Sequence, residues 1–373
     1  MTSDGSVKQR LKLSLQPERK NDDLQRIARV CVVIPAYNEE LLISRCIQSV
    51  LTAGVSAEHI YVVDDRSTDA TSDRVQEFPG VNLLRNAANV GKLRGLQDTI
   101  ARFDLLDRYE FLSLLDADSH ISETYFAAVT ARFDETPGAA LVCGAPHSEP
   151  YNWVTAYRAL EYAITLGVYR KGQDRLGVIT VAPGCASTYR TSIFRQLDWD
   201  GGTLVEDMDL TVQIHRKRLG SIRYTAGAVT YTQDPRTLRE YIGQLTRWYS
   251  GTWQVMRLHK VPFGKQRIDA EFTVLLGEGF GYALLTALLP VITWFYPRAV
   301  LAGFVLDQAI WLTLVLVAAC QLRRLDVVLY CPLFLLMRGI NSFVLLRTFW
   351  SEIIRSRRLD QWFSVSRYRE HAS

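Results

Sequence analysis

Four clusters of residues in this 373-residue chain have the types and spacing to do chemistry. Asp116-Ala117-Asp118 closes the apolar run Phe111–Leu115. Two carboxylates on one loop after a buried strand are hard oxygen ligands, suited to Mg²⁺ or Mn²⁺ bridging a diphosphate, although the same triplet also occurs as a solvated loop. Asp64-Asp65 closes a second apolar run, Ile60–Val63. A carboxylate there accepts hydrogen bonds from a ribose or a base edge, or caps the next helix. Glu206-Asp207 precedes the helix-like run Met208–His215, where a carboxylate is either a cap or a general base for a substrate hydroxyl. Gln244-Leu245-Thr246-Arg247-Trp248 puts Gln244, Arg247 and Trp248 on one helical face by i, i+3, i+4 spacing. Arginine suits bidentate phosphate binding and tryptophan suits stacking on a sugar ring; the same pair also anchors helices at membrane surfaces.

The elements that must position these residues follow a β/α rhythm. Val30–Ile34 is a short apolar run ended by Pro35, and Glu39–Leu51 has helical spacing (Leu42, Ile43, Cys46, Ile47, Val50) closed by Gly54. Ile60–Val63 reads as a second strand, with Ser67-Thr68-Asp69 capping a helix through about Glu77. Val81–Leu84 is a third strand, Lys92–Phe103 a helix and Phe111–Leu115 a fourth strand. Strands that are apolar throughout and alternate with helices imply a parallel, doubly wound α/β sheet. Ligands of such sheets sit at the carboxyl ends of the strands, where both acidic clusters fall.

Composition bounds the rest. With 48% hydrophobic and 22% charged residues, the chain is neither disordered, collagen-like nor a disulfide-rich scaffold. A net charge of +4 is too mild to argue for nucleic acid. The six scattered cysteines have no metal-ligand or redox spacing and read as reduced thiols. The mean hydropathy of zero averages two unlike halves. Thr273–Phe295, Ala299–Cys320 and Val327–Leu346 are each apolar and long enough to cross a hydrocarbon core. Their polar residues, Glu278, Asp307 with Gln308, and Arg338 with Asn341, are expected to face a bundle interior or a path through it. Arg323 and Arg324 place the second short loop on the same side as a cytosolic residue 30–262 domain, and the arginine-rich tail prefers that side too. The third stretch is therefore the candidate for a re-entrant or interfacial segment. The organisation read here is a basic N-terminal tail over residues 1–29, a catalytic domain over 30–262, a membrane region of two to three helices over 263–346, and a basic interfacial amphipathic tail over 347–373, with Phe349, Trp350, Ile353, Ile354, Trp362 and Phe363 as its apolar face.

The order of the motifs says more than any one of them. Val33-Ile-Pro-Ala-Tyr-Asn-Glu-Glu40, Val62-Val-Asp-Asp-Arg-Ser-Thr-Asp69, Asn89-Val-Gly-Lys92, Asp116-Ala-Asp118, Val205-Glu-Asp207 and Gln244–Trp248 follow one another along the chain. Glu161-Tyr162, Pro183-Gly184, Thr188-Tyr-Arg190 and Gln233-Asp-Pro-Arg-Thr237 lie between them. The set resembles the family 2 glycosyltransferases, and within them the membrane-embedded processive branch of cellulose, chitin, hyaluronan and poly-N-acetylglucosamine synthases. The resemblance covers about residues 30 to 255 and continues less specifically into the C-terminal spans.

That resemblance implies a GT-A-like, nucleotide-sugar-binding domain and an inverting, metal-dependent hexosyltransferase using Mg²⁺ or Mn²⁺. Pro35, Tyr37, Glu39 and Asp65 match positions that hold the uridine of a UDP-sugar, and Lys92 matches a nucleotide-contacting lysine. Asp116 and Asp118 match the metal–diphosphate site, with Asp118 the direct ligand. Asp207, beside Glu206, matches the base that deprotonates the acceptor hydroxyl. Arg247 matches the group on the leaving diphosphate, and Gln244 and Trp248 the acceptor saccharide site. Asp118, Asp207 and Arg247 are then expected to converge on one cleft over the headgroups of the cell membrane, on its cytosolic side. Donors expected from the chitin and poly-N-acetylglucosamine branch are UDP-N-acetylglucosamine and then UDP-glucose. Unlike the larger synthases, no span is read ahead of residue 30 and no FxVTxK-like gating segment follows; three or fewer spans make a thin wall for a polymer channel, so export needs a homo-oligomer or a partner, or does not occur. A polyprenyl-phosphate acceptor giving a lipid-linked monosaccharide, and a non-catalytic nucleotide-binding scaffold, are the alternative readings.

Overall fold

Val30, Val32, Val33, Ile34, Ile60 and Val62 have essentially no exposed surface, as strands buried on both faces require. The computed structural model that places them describes residues 21–199, 202–360 and 367–368; the expected tail over residues 1–20, and Trp362 and Phe363, lie outside the described residues. The chain divides into two units, Met1–Gly144 with Cys185–Gln196 and Gly227–Thr230, and Ala145–Gly184 with Leu197–Ala226 and Tyr231–Ser373.

The first unit carries the body of an eight-stranded sheet. Its strands are β1 Val30–Ala36, β2 Ile60–Asp64, β3 Asn82–Arg85, β4 Phe111–Leu114, β5 His120–Ile121, β6 Ala139–His147, β7 Ser187–Arg190 and β8 Ser221–Tyr231, in the order β3-β2-β1-β4-β7-β6-β8-β5. The expected parallel sheet holds for β3-β2-β1-β4. It fails beyond β4, which pairs antiparallel with β7, as β7 does with β6. A mixed sheet needs no helix between every pair of strands, which is why the simple β/α rhythm stops there.

Two helices start later than expected. Ile43–Thr52 is preceded by a turn in which the Glu39 carbonyl accepts from the Leu42 and Ile43 N–H groups at 3.0 Å, while the Glu39 and Glu40 N–H groups donate to Thr71 Oγ1 at 2.8 Å and Asp69 Oδ2 at 3.1 Å. Ser67 and Thr68 do not cap the following helix, Thr71–Gln76. Ser67 Oγ accepts from the Asn38 N–H at 2.9 Å, and the Thr68 N–H donates to Asn38 Oδ1 at 2.8 Å. Residues 21–27, expected as loose tail, form a short helix with Ile27 buried. Arg26 and Arg29 are ion-paired to Asp134 at 3.1 and 3.0 Å.

In the second unit the Trp153–Ile164 helix starts on a capping box at Asn152, and Leu238–Leu258 on another formed by Thr237 and Glu240. Glu206–Lys217 carries Glu206, Asp207 and Asp209 in its first turn and His215, Arg216 and Lys217 in its last, which complements the helix dipole. Two helices, Arg267–Phe295 and Pro297–Leu322, are long and apolar enough to cross a membrane, and almost nothing of them is buried. The third stretch forms Leu333–Phe349, whose 17 residues reach about 25 Å, short of a bilayer core of about 30 Å. It lies along Leu238–Leu258: Tyr241 donates to Asn341 Oδ1 at 2.7 Å, Trp253 Nε1 to Thr348 Oγ1 at 3.1 Å, and Gln254 Nε2 to Glu352 Oε1 at 3.1 Å. Arg338 faces inward as expected, ion-paired to Asp307 at 2.9 Å and stacked 3.7 Å over the Tyr282 ring, whereas Glu278 stays exposed. The tail is not a continuous amphipathic helix. Among the described residues of the tail, helical backbone runs to Ile354, residues 355–360 are not helical, and the Leu359 N–H turns back to Glu352 Oε1 at 2.8 Å. All six cysteines are free.

Candidate active site

The first unit gathers Pro35, Tyr37, Glu39, Asp65, Lys92, Asp116 and Asp118 at or just past the carboxyl ends of β1 to β4. Register makes this unavoidable, because Ala36 lies beside Asp64 and Asp64 beside Arg85 across three strands. Pro35 is half-buried, Tyr37 exposes 49% of its surface, and Glu39 is buried. Asp64 is completely buried and fully engaged: it accepts from the Ser67 N–H at 2.7 Å and the Ser72 hydroxyl, with Arg85 at 3.6 Å. It is therefore a structural residue.

Asp65 next to it holds a loop. Its Oδ1 accepts from Asn86 Nδ2 at 2.9 Å and the Val90 N–H at 2.8 Å, and its Oδ2 from the Gly91 N–H at 2.8 Å. The clamped turn ends at Gly91, with φ of +85°, and delivers Lys92 as the first residue of a helix. Asp65→Ala strands three loop donors, so a loss of about 1–3 kcal/mol is expected in thermal or denaturant unfolding.

Asp116 and Asp118 are both half-buried and flank a buried Ala117, so the two carboxylates lie on the accessible side of the loop. Lys92 Nζ donates to Asp116 Oδ1 at 2.8 Å, and Ser119 Oγ donates to Asp118 Oδ1 at 3.1 Å. The surrounding field is negative. Burial first, then Asp118, Asp116 and Glu39, push the Cys46 thiol well up. Close by in sequence, burial and the Arg45 guanidinium lower His120 to about 4, so its ring is neutral and accepts from Arg45 Nη2 at 2.9 Å. Among the described residues no group of three or more His, Cys, Asp or Glu side chains forms a complete metal cage. Two carboxylates, one already carrying an ammonium cation, do fit a divalent ion that takes its remaining ligands from phosphate and water.

The second unit carries the other candidates. Asp207, in the first turn of its helix, accepts from the Met208 N–H at 2.8 Å and from the Gly184 N–H at 3.1 Å. Both Glu206 and Asp207 remain partly exposed. Thr211 locks the same turn, its hydroxyl donating to the Asp207 carbonyl at 2.6 Å and accepting from the Ala182 N–H at 3.0 Å. On Leu238–Leu258, Gln244 is buried, with Oε1 receiving no hydrogen bond from the described residues, while Arg247 and Trp248 are half-buried on the same face. The two helices meet at Gly251, where an added Cβ would lie 2.7 and 2.8 Å from the methyl carbons of Val205, the residue ahead of Glu206. Gly251→Ala is expected to cost about 1–3 kcal/mol by overpacking. Gly172→Ala, with no atom within 4 Å of its Cβ, should be neutral or stabilising in the same melts.

One residue in this unit was not singled out from sequence. Arg158 is buried on Trp153–Ile164, beneath Trp248 and bonded to Glu161. Its signal was the i, i+3, i+4 run Arg158, Glu161, Tyr162, of which only the last two belong to a motif.

The mixed sheet and these strand-end carboxylates define an α/β protein of the GT-A-like type. Residues 28–251 match the family described as "Glycosyltransferase like family 2", and the chain belongs to it. It is 26% identical over 310 residues to "Probable glycosyltransferase YdaM" of Bacillus subtilis, covering 78% of this chain and 72% of that protein. It is 23% identical over 237 residues to "Poly-beta-1,6-N-acetyl-D-glucosamine synthase" of Staphylococcus epidermidis, covering 62% of this chain and only 56% of the synthase. A solved structure with the same fold is the mannosyltransferase PcManGT of Pyrobaculum calidifontis, in complex with GDP-mannose and Mn²⁺ (TM-score 0.56, 17% identity, 83% of this chain and 87% of that one).

Proposed function

We propose that this chain is an inverting glycosyltransferase that moves N-acetylglucosamine or glucose from a UDP-sugar to a growing β-linked saccharide at the cytosolic face of the cell membrane. The observation that carries this reading is the presence, in one family 2 chain, of a cation-bearing Asp116/Asp118 loop and a partly exposed Asp207 oriented by a backbone N–H. The likeness to a poly-N-acetylglucosamine synthase supports the choice of donor.

Pro35, Tyr37, Glu39 and the Asp65-clamped loop receive the nucleoside, with the exposed Tyr37 ring available for stacking. Asp116 and Asp118 would hold Mg²⁺ or Mn²⁺, which would offset the charge that builds on the departing diphosphate. Lys92 and Arg247 add fixed positive charge for the same diphosphate. Asp207 takes the proton of the acceptor hydroxyl as that oxygen attacks the anomeric carbon, with Glu206 beside it in the same helical turn. Attack opposite the leaving UDP converts an α-linked donor into a β-glycoside. Gln244 Oε1 accepts from a hydroxyl of the acceptor sugar, and Trp248 stacks on its ring. Arg267–Phe295 and Pro297–Leu322 form a transmembrane hairpin, and Leu333–Phe349 lies at the interface, which leaves every basic cluster on the cytosolic side. Export of a polymer past two spans would call on a second copy or a partner.

The test is UDP release by the full chain in detergent, over a donor panel with Mg²⁺ or Mn²⁺, followed by linkage analysis of the product. Release with one donor and a β-linked oligosaccharide supports the reading. No release with any donor overturns it, and labelled monosaccharide extracting into organic solvent transfers it to a lipid-linked product.

A further inference from the structure

The Trp248 ring is held by a cation buried beneath it. Arg158 exposes only 3% of its surface, and its guanidinium carbon lies 4.8 Å over Trp248 and 4.8 Å over Tyr162. Each nitrogen of the same guanidinium donates a hydrogen bond. Nη1 donates to Glu161 Oε2 at 2.5 Å, Nη2 to the Tyr162 hydroxyl at 3.0 Å, and Nε to Asp234 Oδ1 at 3.4 Å. Glu161 Oε1 accepts in turn from the Tyr157 hydroxyl at 2.9 Å and from Asn341 Nδ2 at 3.2 Å. Asp234 belongs to the Gln233–Thr237 segment that leads into the helix carrying Trp248.

Burying an arginine with two carboxylates is a poor way to gain stability, because the desolvation of three charges offsets most of their attraction. What the arrangement does supply is geometry. A planar guanidinium with fixed donors has one orientation, and a ring stacked on it is restricted to that plane. A lysine ammonium at the same place carries the charge but neither the plane nor the fork.

We propose that Arg158 is a positioning residue for the acceptor: through its stack on Trp248 and its fork to Glu161 and Asp234, it fixes the orientation of the indole on which the acceptor sugar rests. This role rests on the reading of Trp248 as the acceptor platform, and the experiment separates the two. A sugar bound to a platform with a set tilt presents one hydroxyl to the base. A loose platform still lets the donor bind and still lets water react with it.

The test uses Arg158→Lys, Arg158→Met and Trp248→Ala in the full chain in detergent. The donor is the one that releases UDP fastest in the panel, and the probe acceptor is a β-linked N-acetylglucosamine tetramer. Arg158→Lys is expected to raise the acceptor KM about tenfold and lower transfer, while the donor KM and the acceptor-independent release of UDP stay within about twofold. Arg158→Met shows the same split if it retains a cooperative melt, and Arg158→Lys decides the matter if it does not. A parallel fall in transfer and in acceptor-independent UDP release would mark a merely structural residue and overturn the proposal. An unchanged acceptor KM in Arg158→Lys, with a raised one in Trp248→Ala, removes Arg158 and keeps the platform. An unchanged acceptor KM in Trp248→Ala removes the platform reading and the proposal together.

Discussion

Asp207→Asn is expected to lower kcat by about 10²–10⁴ while the KM for the UDP-sugar changes by less than about threefold. The reason lies in what the substitution keeps. Asn retains one carbonyl oxygen in place of Asp207 Oδ2, so the bond from the Gly184 N–H survives. The turn itself is pinned by Thr211 and not by the carboxylate, so the helix start should stay folded. What is lost is the proton acceptor, together with the Met208 N–H contact at Oδ1, which the amide NH2 does not accept. A melting temperature within a few degrees of wild type, beside a collapsed rate of UDP release, is the expected pair of results. Retained activity in Asp207→Asn would take the base role away from this residue. Glu206→Gln, one position earlier in the same turn, is the comparison that then identifies the base.

How much of this was legible in the residues differs between the two units. Three of the parallel strands, β1, β2 and β4, were readable because each is a short apolar run buried on both faces, while β3, at the sheet edge and only half-buried, showed in the apolar run Val81–Leu84. Their carboxyl ends therefore carry Asp65, Asp116 and Asp118, whereas Lys92 was marked by the family resemblance alone. What the pattern did not carry is the division of labour between neighbours. Asp64 and Asp65 look alike in sequence, yet one is a sealed structural residue and the other grips the loop ahead of Lys92. Ser67 and Thr68 have the composition of helix caps, but a closer competitor, the Asn38 backbone and side chain, takes their hydrogen bonds.

In the second unit the helical face of Gln244, Arg247 and Trp248 followed from spacing alone, and it lies on Leu238–Leu258 as the spacing requires. The third apolar stretch was ambiguous for a physical reason. Hydropathy does not distinguish a helix facing lipid from one facing another helix, and Asn341, Thr348 and Glu352 find partners on Leu238–Leu258 that sequence cannot reveal. Arg158 was missed on the same ground. An arginine within an amphipathic helix is ordinarily a surface residue, and only the tertiary partners Asp234 and Trp248 make it a buried one.

Removal of divalent cations should abolish UDP release, with Mn²⁺ or Mg²⁺ restoring it, and Asp118→Asn should depend on the ion far more steeply than Asp116→Asn. The two carboxylates are not equivalent. Asp116 is already paired with Lys92 at 2.8 Å, so part of its charge is spent on a fixed cation. Replacing it frees that ammonium to approach the diphosphate, which offsets part of the loss. Asp118, which accepts from the neighbouring Ser119 hydroxyl at 3.1 Å, is the carboxylate proposed as the direct ligand of the ion, so its charge is the one the metal loses. A charge-assisted contact of about 1.5–3 kcal/mol corresponds to a factor of about 10–150, so Asp118→Asn should need at least tenfold more metal for half-maximal rate. Asp116→Asn should show a smaller shift and a raised KM for the nucleotide, because Lys92 has changed partner. Metal titrations of UDP release with the two variants side by side give the comparison. Equal shifts would mean that both carboxylates bind the ion alike, and a wild-type rate untouched by chelation would remove the ion from this loop.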